Sequence, residues 1–164
     1  MILCLLCISN GTWAKGKKTK GKVQPEYYEA YYQSEGNNEN IVLRIECYSP
    51  SVQDAKDKAE LYVVKALLFK DSKDKKGALK VRALVDESSL SPEQSVYFDA
   101  FFNSGKYHKY IVSLIPGTFI TTKIKKQKQV KVSSVFSVNR RALRHDLETD
   151  GVIEKLGGMF NRHL

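Results

Sequence analysis

Residues 41–48, Ile-Val-Leu-Arg-Ile-Glu-Cys-Tyr, and residues 52–67, Val-Gln-Asp-Ala-Lys-Asp-Lys-Ala-Glu-Leu-Tyr-Val-Val-Lys-Ala-Leu, decide the fold. In the first stretch Ile41, Leu43, Ile45 and Cys47 alternate with Val42, Arg44, Glu46 and Tyr48. That period of two predicts a strand with one buried side. Ser49-Pro50-Ser51 ends it, and Val52, Ala55, Ala59, Tyr62, Val63, Ala66 and Leu67 then recur three and four apart. This spacing predicts an amphipathic helix. Its small residues Ala55, Ala59 and Ala66 suit close approach to a sheet, while Asp54, Lys56, Asp57, Lys58 and Glu60 fill the polar side.

Further along the chain, Ser91-Pro92-Glu93-Gln94 reads as a capping box with proline at the first helical position. The helix it opens carries Tyr97, Phe98, Phe101 and Phe102 and is expected to stop near Gly105, a natural left-handed cap. Residues 78–85 fit a short strand or an extended connector, and residues 107–115 an extended or helical piece closed by Pro116-Gly117. Residues 118–126 and 128–138 read as a hairpin, with Val130, Val132, Ser134, Phe136 and Val138 on one side. Asn139 caps a last helix in which Leu143 and Leu147 stand four apart and which Gly151 ends. The expected fold is α+β: a small, mainly antiparallel sheet with two or three helices packed on one face.

Toward the N-terminus, residues 2–8 are an apolar run, too short for the ~20 residues that cross a bilayer. Thr12-Trp13-Ala14 follows with small side chains at the positions a signal peptidase reads, so residues 1–14 are expected to be a signal peptide cleaved after Ala14. Leu3 and Leu6 precede Cys4 and Cys7 where lipoprotein processing favours a small residue. Removal of the leader leaves Cys47 as the sole thiol, read as a buried small hydrophobe. Residues 15–39 are expected to be a basic flexible segment with a Tyr-rich docking piece, a short helix placing Tyr28, Tyr31 and Tyr32 on one side. Residues 40–156 then form a single domain and residues 157–164 a tail.

The chain has 164 residues, 27 Lys+Arg against 18 Asp+Glu, and a formal net charge of +9. Nine Tyr, seven Phe and one Trp supply enough apolar bulk to exclude disorder throughout, and 27% charged residues exclude a multi-span membrane protein. His108, His145 and His163 have no metal-ligand spacing, and Gly157-Gly158 lacks the Lys and Ser/Thr of a phosphate loop. Neither a metal nor a cofactor is expected. Asp146, Glu148 and Asp150 read as a solvated helix face, and Ser88, Ser89 and Ser91 have no nucleophile context. The chain is accordingly read as not an enzyme.

The segments Asp54-Ala55-Lys56-Asp57-Lys58-Ala59, Ala66-Leu67-Leu68-Phe69 and Val138-Asn139-Arg140-Arg141-Ala142-Leu143-Arg144 carry a resemblance across residues 40–156. The pattern resembles exported bacterial envelope proteins such as the N-terminal domain of flagellar assembly protein T and related small periplasmic lipoproteins. The resemblance implies a noncatalytic assembly or scaffolding domain, periplasmic or associated with the outer membrane. It brings no catalytic residue, and flagellar or lipoprotein function is not carried over.

Two functions follow as expectations. In the first, the chain binds another envelope component through the aromatic cluster Tyr97, Phe101, Phe102, Tyr107 and Tyr110. In the second, Lys123, Lys125, Lys126, Lys128 and Lys131, with the lysine-rich residues 15–22, bind nucleic acid, another anionic polymer, or an anionic envelope surface of phospholipid or glycan. The basic hairpin lacks interleaved aromatics for base stacking, and lysine also protects an exposed hairpin from aggregation. Nucleic acid is therefore the less favoured partner.

Overall fold

The strand that begins at Ile41 and the valine-rich strand ending at Val138 pair in the middle of the sheet in the computed structural model, which describes residues 27–124 and 129–155. The leader with its cleavage after Ala14, residues 15–22, Lys125, Lys126, Lys128 and residues 157–164 lie outside the described residues.

The element order is β1 (Tyr28–Glu35), β2 (Ile41–Ser49), α1 (Val52–Phe69), β3 (Ser72–Lys73), β4 (Leu79–Val81), α2 (Pro92–Asn103), β5 (Ile111–Leu114), β6 (Ile120–Ile124), β7 (Gln129–Val138) and α3 (Arg140–Thr149). Among the described residues the sheet runs β4-β3-β1-β2-β7-β5, and β6 also pairs with β7. All pairings are antiparallel except the single parallel bridge Tyr31↔Lys73 between β1 and β3. Strands β5 and β6 lie end to end along one side of β7, with Pro116-Gly117 turning out between them. Across that break Ile115 N–H donates to Val135 O and Val135 N–H to Thr118 Oγ1, so the ladder stays hydrogen-bonded.

The β2–β7 register puts Leu43 opposite Phe136, Ile45 opposite Ser134 and Cys47 opposite Val132. These six side chains are fully buried beneath the helices. Helix α1 is capped by Ser51, whose hydroxyl accepts from Asp54 N–H. Its alanines let it sit close to the sheet: Ala55 O lies 3.9 Å from Cys47 Sγ, and Ala55, Ala59 and Ala66 are wholly buried. At its far end Leu84 and Val85 N–H donate to the carbonyls of Leu67 and Leu68, which have no partner inside the helix. Helix α2 carries the expected capping box, and Gly105 follows with φ 71°, a left-handed conformation that glycine adopts without strain. Asn139 caps α3 by accepting from Ala142 N–H, and Leu143 and Leu147 are buried.

The α+β fold is as expected, with three helices on one face of a mainly antiparallel sheet. The Tyr-rich piece before it is different. Residues 28–35 are strand β1, not a docking helix, and the sheet therefore begins at Tyr28 instead of near residue 40. Tyr28, Tyr31 and Tyr32 fit either period in sequence; pairing along the full edge of β2 settles the strand, because it satisfies backbone groups that a helix would leave open there. Tyr28 and Tyr32 then turn toward the helices, where Tyr28 stacks on Tyr62 of α1, and Tyr31 turns away.

Substituting Ala55→Leu forces extra methylenes between α1 and β2 and is expected to lower stability by about 1–3 kcal/mol, measured by urea unfolding. The exposed Lys56→Ala change on the same helix is expected to stay within about 0.5 kcal/mol.

Candidate functional site

The aromatic cluster is mainly a packing device. Phe101, Tyr107 and Tyr110 are buried, and Tyr97 and Phe102 are half-buried. Phe69 of α1 meets Phe98 edge-on at 5.0 Å, Phe101 meets Phe102 at 5.1 Å, and Phe101 stacks on Tyr110 at 6.0 Å. The hydroxyls point to α3: Tyr97 donates to Asp150 at 2.6 Å, and Tyr110 donates to Asp146 at 2.8 Å, which Lys109 also meets at 2.7 Å. Burial, with Asp146 adding to it, pushes the Tyr110 phenol up to about 12, and burial and Asp150 raise Tyr97 as well. The pair Asp146 and Asp150 thus ties α3 to the aromatic layer. Of the expected docking residues Tyr97, Phe101, Phe102, Tyr107 and Tyr110, three rings are inside: Phe101 lies on the buried side of α2, and Tyr107 and Tyr110, on the turn that follows it, pack against Phe102 and Phe101.

The basic hairpin is divided by its own register. Lys131 stands opposite Thr122 and Lys123 opposite Val130, so alternation sends the two lysines to opposite faces of the sheet. Lys131 is paired with Glu46 at 2.8 Å, whereas Lys123 is exposed. Lys125, Lys126 and Lys128 lie outside the described residues.

The face of the sheet turned away from the helices brings together residues that the sequence separates. Cross-strand register forms three rows: Tyr48, Lys131 and Thr122; Glu29, Glu46, Ser133 and Ile120; Tyr31, Arg44 and Val135. Tyr27 joins the first row through its ring, 5.8 Å from that of Tyr48. Glu29 and Glu46 face each other directly, an arrangement that costs energy unless each carboxylate is compensated. Both are. Glu29 accepts from the hydroxyls of Tyr27 at 2.6 Å and Tyr31 at 2.5 Å, which hold its carboxyl below the usual range, and the Tyr31 phenol rises to about 12 through the same bond. Glu46 takes Lys131, and Arg44 Nε lies 3.6 Å away, an ion-pair distance but too long for a hydrogen bond. The Arg44 guanidinium also lies 4.9 Å from the centre of the Tyr31 ring. The result is a rigid mosaic of three tyrosines, two cations and an Ile120 that is 60% exposed.

At the β1 edge this face runs into an open groove of about 530 Å³, walled by Tyr31, Arg44, Lys70, Lys73, Asp74 and Lys75 among others. The Lys70 ammonium lies 3.7 Å from the centre of the Tyr28 ring and donates to Tyr28 O. The hairpin turn is fixed by Asp74, whose carboxylate accepts from Lys76 and Ala78 N–H. Sequence alternation puts Arg44, Glu46 and Tyr48 on one side of a strand. It does not place them beside Tyr27, Glu29 and Tyr31; the signal for that is the alternation of Tyr28, Ala30 and Tyr32 with Glu29, Tyr31 and Gln33.

Among the described residues no group of three His, Cys, Asp or Glu is placed to hold a metal ion, and no helix is long and apolar enough to cross a membrane. Cys47 is free and fully buried, and that burial pushes its thiol up to about 11. What the fold and this face define is an α+β domain with one sheet surface committed to its helices and the other built of preorganised, partly exposed Tyr, Arg and Lys side chains. Comparison with protein-family models, curated protein sequences and solved structures finds no significant match.

Asp146 lies below the usual carboxylate range because Lys109 and Tyr110 bond to its charged form. With the folded value below the unfolded one, its contribution is complete above the ordinary value of about 4 and is lost as pH falls through the lowered value. The melting temperature is expected to drop on acidification below about pH 4, and to drop less steeply in Asp146→Asn, which starts lower at neutral pH. In a chain carrying Cys4→Ser and Cys7→Ser, Cys47 is expected to resist a thiol reagent until the protein unfolds.

Proposed function

We propose that this chain is an exported, noncatalytic module of the bacterial cell envelope that binds another envelope protein through the open face of its sheet. The observation that carries the reading is the asymmetry of the sheet: three helices cover one face, and the other presents Tyr27, Tyr31, Tyr48, Arg44, Lys131 and Ile120. Tyrosine and arginine contribute most where proteins meet, since a rigid aromatic ring buries much surface with little entropy to lose and a guanidinium binds through several donors. The internal bonds of Glu29, Glu46 and Arg44 reduce the ordering cost further. Export is supported by the apolar residues 2–8 with Thr12-Trp13-Ala14, and a scaffolding role by the resemblance of residues 40–156 to envelope assembly domains.

Binding of an anionic polymer through the hairpin lysines draws less support, because Lys123 and Lys131 face opposite ways and Lys131 is already paired. Docking through the Tyr97 to Tyr110 cluster also loses support, since the Tyr97 and Tyr110 hydroxyls bond to Asp150 and Asp146 and three of the five rings are buried.

Cell fractionation with N-terminal sequencing is expected to recover a mature chain beginning at Lys15 outside the cytosol. Capture of partners from envelope extracts is expected to fall at least about tenfold for the double variant Tyr48→Ala, Ile120→Ala, and to persist for Tyr97→Phe. Equal capture by the wild type and the double variant would count against the open face.

A further inference from the structure

The groove between β1 and the β3–β4 hairpin has more donors than it uses. Residues 70–80 hold five lysines and two aspartates, and Arg44 adds a guanidinium from the neighbouring strand. The acids in the groove are occupied by the chain itself. Glu29 accepts from two tyrosines, Asp71 accepts from Ala83 N–H at 2.8 Å, and Asp74 accepts from two backbone N–H groups and pairs with Lys80 at 3.6 Å. The cations are not matched in the same way. Lys73 and Lys75 are exposed and have no ion-pair partner among the described residues, and Arg44, whose Nε lies 3.6 Å from Glu46, makes no hydrogen bond through that nitrogen.

We propose that this groove receives an acidic, extended segment of a protein partner, whose carboxylates meet Arg44, Lys73 and Lys75. The inference rests on the reading of the chain as a docking module and names the chemistry of what docks. A guanidinium held on an aromatic ring keeps its donor edge oriented for a carboxylate, and Lys73 on β3 with Lys75 on the turn after it supply charge at adjustable reach. Strand β1 pairs with β3 through the parallel bridge Tyr31↔Lys73, so residues 70–72 run beside the start of β1, where Lys70 donates to Tyr28 O. Single-stranded nucleic acid fits less well. Tyr28 is held between Tyr62 and Lys70, and Tyr31 lies against Arg44, so neither ring is open for a base.

The test is fluorescence anisotropy of the full chain with three labelled probes: hexaglutamate, hexaglutamine and a single-stranded oligothymidylate. Hexaglutamate is expected to bind and hexaglutamine not to. The double variant Lys73→Gln, Lys75→Gln, at two exposed positions that leave folding intact by circular dichroism, is expected to weaken hexaglutamate binding about tenfold or more, and Lys123→Gln to leave it unchanged. Undiminished binding by the double variant, equal loss in Lys123→Gln, or tighter binding of the oligothymidylate than of hexaglutamate overturns the assignment. Capture from envelope extracts separates the two readings. If Lys73→Gln, Lys75→Gln captures the partner as the wild type does while the Tyr48, Ile120 variant fails, the groove assignment falls and the docking reading stands. If hexaglutamate binds in the groove and the wild type captures nothing, the docking reading falls and the groove assignment stands.

Discussion

Everything else in this domain depends on the close seating of α1 against the β2–β7 pair. Leu43, Ile45 and Cys47 on one strand and Val132, Ser134 and Phe136 on its neighbour make a continuous surface, and the alanines of α1 bring a helix about 27 Å long down onto it. Small residues at the contact exchange side-chain bulk for backbone proximity, which raises the number of dispersion contacts made along the helix. Once that layer is fixed, the chain leaving α1 must fold back, and its Leu84 and Val85 amides close the helix end. Helix α2 then covers Phe69, and the tyrosines above it reach α3.

A sheet covered on one side has to make its other side stable in water. Here that is done with polar side chains that bond to one another across strands, so two facing glutamates are tolerated because tyrosine hydroxyls serve one and Lys131 the other. The same internal bonding leaves the surface ordered before any partner arrives. A surface of this kind suits recognition, and it joins a groove whose acids are satisfied internally while Lys73 and Lys75 are not paired among the described residues. The functional proposal and the further inference both grow from that single asymmetry between the two faces.

Much of the fold was legible because its signals are local. The alternation in residues 41–48, the three-and-four spacing after Ser51, the capping box at Ser91 and the cap at Asn139 each depend on a few adjacent residues, and each element lies where they put it. Strand β1 was not legible, since tyrosines at positions 28, 31 and 32 satisfy a helical spacing as readily as an alternating one. Its conformation is decided by the unsatisfied edge of β2, which lies more than ten residues away for most of the pairing. The aromatic cluster posed the opposite problem. Its composition suits an interface as well as a core, and only the position of α2 over the end of α1 assigns it to the core.

By itself, then, the order of residues determined β2, β7 and the three helices, that one side of each is apolar, and that Cys47 has no reactive surroundings, because periodicity and capping act over a single turn or a few strand positions. Only the tertiary structure decided which polar side chains meet. Tyr27, Glu29 and Tyr31 come beside Arg44, Glu46 and Lys131 through strand register, and Lys123 parts from Lys131 for the same reason. Register is a property of pairs of strands: a shift of one residue in either would turn every one of these side chains to the opposite face, and no single segment carries the information that prevents it.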